Sequence, residues 1–138
     1  MMSSGFDFSG KVAVVVGASS GLGADAARAY AEHGADVALL ARRLERLEAL
    51  KTEIEATGRR AVAVRCDVTD EDSCRAAVDA VIDAYGRIDI LLNNAGVAVR
   101  GGVDTLTDAE WDRSFDTNVK GIFHVSKYVV PRMRERGY

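Results

Sequence analysis

The chain has 138 residues, which at about 100–200 residues per domain amounts to one domain and leaves no room for a separate substrate domain. Hydrophobic residues make up 48% and charged residues 28%, with a mean hydropathy of -0.03, the profile of a chain that folds around a core rather than a disordered or fibrous one. The 18 Lys and Arg against 21 Asp and Glu give a net charge of -3 and a pI near 5.4, which weighs against nucleic acid and anionic membrane as partners.

The opening stretch MMSSGFDFSGK has neither a basic region nor an apolar run, so no secretory signal is expected and the cytoplasm is the default location. Val12–Val16 is the first of four short apolar runs; the others are 37–41, 61–66 and 88–92. None alternates cleanly with polar residues, as suits strands buried on both faces of a parallel sheet, and none approaches the ~18 residues of a membrane span. Helical periodicity fills the intervals. A helix is expected over about 21–33, a second along Leu44, Leu47, Leu50 and Ile54 with Gly58 as its stop, and a third along Cys74, Ala77, Val78, Val81, Ile82 and Tyr85. The third is opened by the capping box Thr69-Asp70-Glu71-Asp72. After the fourth run, Thr107-Asp108-Ala109-Glu110 forms another capping box. It leads into a long helix through Trp111, Phe115, Val119, Ile122 and Val130, which Pro131 is expected to bend or end. Strand and helix alternate in this order, and right-handed crossovers wind such a chain into an α/β fold with a doubly wound parallel sheet.

Cys66 and Cys74 form no Cys-x-x-Cys pair and are expected to be reduced and partly buried. No ligand spacing surrounds His33 or His124, so no metal site is expected.

Directly after the first strand comes Gly17-Ala18-Ser19-Ser20-Gly21-Leu22-Gly23, a glycine-rich turn that opens a helix. Backbone N–H groups at a helix N-terminus lack partners, the helix dipole is positive there, and residues without Cβ let an anion come close. A dinucleotide pyrophosphate suits such a place; an isolated glycine cluster could equally be a tight strand-to-helix turn, and its position after the first strand favours the nucleotide.

The spacing is G-x-x-x-G-x-G rather than G-x-G-x-x-G. Gly17 to Gly23, then Cys66-Asp67-Val68, then Asn93-Asn94-Ala95-Gly96, then Asn118-Val119-Lys120-Gly121 together resemble the N-terminal half of the short-chain dehydrogenase/reductase family, over about residues 8–138. Val16 departs from the family's usual threonine. The resemblance implies that Gly17, Ser19, Ser20, Gly21, Leu22 and Gly23 line the phosphates and nearby ribose, and that Asp67 and Val68 meet the adenine. It implies further that Asn94, Ala95 and Gly96 flank the cofactor ribose, and that Asn118 is the asparagine of the family's catalytic tetrad, holding a water on the proton path. A blander reading makes Asp67 the start of a helix cap and the asparagines a turn.

The second strand ends Ala41-Arg42-Arg43, with no acid to accept from a ribose 2′-hydroxyl. Guanidinium groups bind a 2′-phosphate, so NADP is favoured over NAD, unless the two arginines are simply a solvated basic pair. The family's Tyr-x-x-x-Lys does not occur: Tyr30, Tyr85 and Tyr128 are followed at +4 by Gly34, Asp89 and Arg132. The expectation is therefore a Rossmann-like sheet truncated after about four strands and the following long helix, with residues 1–138 a dinucleotide-binding domain incomplete at its C-terminus. It would be the NAD(P)-binding portion of an oxidoreductase that transfers hydride between NADP(H) and a carbonyl or alcohol, inactive alone; the alternative is a non-catalytic nucleotide-binding or interaction module. A fourth strand of Ile88, Ile90, Leu91 and Leu92 left at the sheet edge, and the final helix, would favour association with further copies.

Overall fold

A computed structural model describes residues 5–138; residues 1–4, part of the stretch read above for a secretory signal, lie outside the described residues. The elements run β1 (Val12–Val16), α1 (Gly21–Glu32), β2 (Asp36–Ala41), α2 (Leu44–Glu55), β3 (Ala61–Arg65), α3 (Glu71–Tyr85), β4 (Ile90–Asn93), α4 (Asp108–Phe115), a π-turn (Asp116–Lys120) and α5 (Gly121–Arg136). All strand pairs are parallel, in the order β3-β2-β1-β4, so the sheet is doubly wound and Rossmann-like as expected. Val14 stands beside Ala38 of β2 and Leu91 of β4, a register that brings the carboxyl ends of the strands together.

Successive strand residues point to opposite faces, and each face carries its own core. Ala13, Val15, Val37 and Leu39 pack against Ala24, Ala27 and Ala31 of α1 and Leu47, Leu50 and Ile54 of α2. Val12, Val14, Val16 and Leu40 pack on the other face against Cys74, Ala77, Val78 and Val81 of α3 and Val125 and Val129 of α5. Alanines on α1 let that helix lie close to the sheet. The strands must therefore be apolar throughout, which is why their sequences do not alternate.

Several expectations are corrected. α3 is capped by Asp70, whose carboxylate accepts from the N–H groups of Asp72 and Ser73; Thr69 forms no capping box because its hydroxyl and N–H are both given to Asp67. The Thr107–Glu110 box does form, with both of its reciprocal bonds. β4 begins at Ile90 rather than Ile88, and Asp89 before it is buried, accepting from Val12 N–H at 2.8 Å and from the Arg87 guanidinium at 2.7 and 2.8 Å. Burial acts to raise the Asp89 carboxyl, but those bonds outweigh it and hold the group below its ordinary value. Cys66 and Cys74 are fully rather than partly buried.

Pro131 does not end the last helix, which continues to Arg136. An interior proline costs about 3 kcal/mol, and fully burying a valine returns ~1.5–3 kcal/mol; Val125 and Val129, both wholly buried, are enough to hold α5 together. The stripe Trp111, Phe115, Val119, Ile122 and Val130 lies exposed, whereas Gly121, His124, Val125 and Val129 face the core. Among the described residues no helix is long and apolar enough to cross a membrane.

Candidate functional site

The sheet's hydrogen bonding runs one residue past β1, β3 and β4 and fixes the loops that follow them at its carboxyl edge. Gly17 N–H donates to Leu40 O at 2.8 Å, Cys66 N–H to Ala41 O at 2.9 Å and Asn94 N–H to Val16 O at 3.0 Å. These three segments surround a cleft of about 400 Å³.

Glycine is required at two points of its wall. Gly17 has φ +82°, and a Cβ there would lie 2.8 Å from backbone atoms of Asn94 and Ala95. At Gly23 a Cβ would run into the Gly17 carbonyl and stand 2.9 Å from Asn94 Nδ2. The first turn of α1 is thereby drawn down onto the loops after β1 and β4. Its N-cap, Ser20, makes no side-chain capping bond, and no acidic residue stands in that turn. The N–H groups at this helix end are thus available to an anion, at the positive end of the dipole.

Gly17, Ser19 and Ser20 line the cleft, as do Arg42, Arg43, Asp67, Val68, Asn94, Ala95 and Gly96. Gly21, Leu22 and Gly23 do not line it: Gly21, at φ +57°, has open space around it, Leu22 is 78% exposed, and Gly23 is buried as a packing residue. Asn118 also stands behind the wall. Its Oδ1 accepts from Val97 N–H and its Nδ2 donates to Val97 O, each at 2.8 Å, so the π-turn clamps the segment that follows Gly96.

Arg46, Thr69 and Thr117 are among the cleft residues that the sequence reading did not name as site residues. Arg46 sits three positions after Arg43 on the first turn of α2, a helical spacing that could have found it. Thr69 lies beside Asp67, and Thr117 enters from the π-turn, for which the sequence carried no signal. The basic groups are felt within the cleft. Burial acts to raise the Asp67 carboxyl, yet bonds from the Thr69 hydroxyl at 2.7 Å and N–H at 3.0 Å, with the charges of Arg42 and Arg65, leave it below its ordinary value. Such a cleft offers anion-binding amides at one side, three arginines at another and a carboxylate acceptor at a third, and a dinucleotide fits that set of donors and acceptors.

The short chain dehydrogenase family profile matches residues 11–138. The chain is 42% identical over 127 residues to the oxidoreductase UcpA of Salmonella typhimurium, covering 92% of this chain and 48% of that protein. A solved metagenomic short-chain oxidoreductase in complex with NADP is 42% identical, with a TM-score of 0.88 over 94% of this chain and 59% of the other. A short chain dehydrogenase/reductase from Burkholderia phymatum in complex with NAD is 32% identical, with a TM-score of 0.91 over 96% of this chain and 47% of the other. The chain spans about half the length of the relatives it matches.

Proposed function

The chain belongs to the short-chain dehydrogenase/reductase family, and on that premise we propose that these residues are the NADP(H)-binding portion of an oxidoreductase acting on a carbonyl or alcohol. The bound nicotinamide would supply or accept the hydride. The α1 N-terminus with Ser19 and Ser20 would hold the pyrophosphate, Asp67 would accept from the adenine amino group, and Asn94, Ala95 and Gly96 would flank the ribose. Asn118 would keep the Val97 segment in place behind them.

The observation that carries the choice of NADP is the arginine cluster after β2: Arg42, Arg43 and Arg46 all line the cleft, and no acid takes the position that would accept from a 2′-hydroxyl. Relatives with either dinucleotide are known, so the choice rests on these side chains. One charge-assisted bond to the 2′-phosphate is worth ~1.5–3 kcal/mol, a preference of roughly 10- to 150-fold. Calorimetric titration with NADP and NAD, with Arg42→Asp alongside, tests this; equal affinities in the parent chain refute it.

A second reading is favoured by the missing Tyr-x-x-x-Lys: residues 1–138 alone bind the nucleotide without turning it over. Steady NADPH consumption on a panel of carbonyl compounds, at ordinary enzymatic rates, would sink that reading. The exposed Trp111 and Phe115 and the open edge of β4 support self-association, which light scattering after size exclusion measures directly; a monomer at every concentration speaks against it.

A further inference from the structure

Two buried thiols meet at the back of the cleft. Cys66 follows β3 and lines the cleft; Cys74 lies in the first turns of α3 and is wholly buried. Their sulfurs are 3.9 Å apart, and Cys74 Sγ also donates to Asp67 O at 3.6 Å. Asp67 and Val68, which line the cleft, stand between the two cysteines in the chain, and Asp67 N–H is held by Ser73 Oγ at 2.9 Å. We propose that Cys66 and Cys74 are an oxidant-sensitive dithiol whose closure into a disulfide weakens nucleotide binding at this cleft. The coupling to the nucleotide rests on the reading given under Proposed function; formation of the bond does not.

The pair is placed for the chemistry. A buried thiol in apolar surroundings is ordinarily inert, but Cys66 has the cleft on one side and a second thiol on the other. Cys66 donates to Cys74 and faces the cleft, whereas Cys74 is wholly buried and its thiol is pushed up by burial beside Cys66, so an oxidant reaches Cys66 first. With a hydroperoxide as oxidant, the Cys66 thiolate attacks the distal peroxide oxygen, the O–O bond breaks, and sulfenic acid forms as water or alcohol leaves. Cys74 sulfur then attacks the Cys66 sulfur; the S–S bond forms and the S–O bond breaks. The hydroxyl departs with the Cys74 proton as water. Two thiols are oxidised by two electrons and the peroxide is reduced by two.

Closure has a geometric consequence. The sulfurs must draw together from 3.9 Å to about 2.05 Å, pulling the first turns of α3 toward the end of β3. Cys74 then has no proton to give to Asp67 O, and Asp67 and Val68 move with the bond that brackets them.

The test treats the 138-residue chain with hydrogen peroxide and reads two quantities. Mass spectrometry of the intact chain and of its peptides should show loss of two hydrogens at a Cys66–Cys74 linkage, reversed by dithiothreitol. Calorimetry should show NADP affinity lowered about tenfold or more, as for one lost charge-assisted bond, and restored by the reductant. Cys74→Ala and Cys74→Ser, checked for folding by circular dichroism, should keep their affinity through a stoichiometric oxidant dose. Oxidation only to sulfinic acid or to bonds between chains overturns the proposal. So does a disulfide that leaves affinity unchanged. A reduced chain that binds no nucleotide while the intramolecular bond still forms refutes the nucleotide reading and the coupling, and leaves the dithiol itself established by the mass shift.

Discussion

The two ends of one sheet are built on opposite plans. At the amino end the chain satisfies itself: Asp89 takes the Val12 N–H and the Arg87 fork, Lys11 O accepts from Asp36 N–H at 3.0 Å, and Arg60 reaches the Asp36 carboxylate at 2.5 and 3.1 Å. At the carboxyl end the backbone is held as firmly, by Gly17, Cys66 and Asn94, yet the α1 N-terminus has neither a capping side chain nor an acid. Neighbouring α3 shows what a chain does when no ligand is wanted, with Asp70 accepting from two N–H groups and Glu71 and Asp72 in the first turn. A stable amino end and an unsatisfied carboxyl end let binding be tuned without loosening the sheet.

The largest effect expected is at Gly17. Gly17→Ala combines left-handed strain with backbone overlap and should cost about 2–5 kcal/mol and abolish nucleotide binding, whereas Gly21→Ala, in open space, should cost only about 1–2 kcal/mol. Urea unfolding of both variants measures the gap; equal costs would mean that the close approach of the two loops has been misjudged.

At the other end, Asp89→Ala leaves Val12 N–H and Arg87 without their acceptor and should cost about 3 kcal/mol, near the low side for a buried pair because Arg87 still reaches water. Nucleotide affinity of the folded variant should match the parent. An affinity loss would show that the two ends are coupled.

Smaller effects divide the two helix N-termini. Asp70→Ala should lose about 1 kcal/mol of stability with affinity kept. Ser20→Ala should change stability by no more than about 0.5 kcal/mol, since no capping bond is lost, while weakening nucleotide binding. Thermal unfolding and calorimetry on both proteins read this crossed pattern, and a stability loss at Ser20 equal to that at Asp70 would break the contrast.

The smallest effect lies in acid. Glu71 accepts from Lys127 Nζ at 2.5 Å and from Tyr128 OH at 2.7 Å, which tie α3 to α5 and lower its carboxyl from 4.5 to about 2. A carboxyl lowered by folding takes up its proton more readily when unfolded. Its contribution is therefore complete above about pH 4.5 and drains away as the pH falls toward about 2. Glu71→Gln should flatten the stability profile over that window and leave it unchanged at neutral slope; an identical acid slope in the variant would remove Glu71 from the account.

Most of the sheet could be read from the sequence because strands buried on both faces must be apolar, and the glycine turn announces itself by position after the first of them. Asn94, Asp67 and the arginines fall at strand ends, which the same apolar runs locate. What escaped depends on contacts between distant residues. Asp89 looks like a lone charge at a strand edge until Val12, 77 positions away, is placed beside it. Asn118 carries no local sign that it will grip Val97, and Thr117 reaches the cleft only because the helix is interrupted beside it. The capping box at Thr69 failed for a local reason: Asp67 competes for both of its donors.

That interruption, the π-turn at Asp116–Lys120, acts on the last helices as a change of phase. In an unbroken α-helix each residue advances about 100°, so Trp111 and Val125, like Phe115 and Val129, would come within about 40° of the same face. A single π-turn takes up one extra residue and moves that offset to about 140°. Trp111 and Phe115, stacked at 4.6 Å, are accordingly dialled away from the sheet while Val125 and Val129 are pressed against it. Wound without the π-turn as unbroken α-helix, the same residues would carry Trp111 and Phe115 round to the face that Val125 and Val129 press against the sheet.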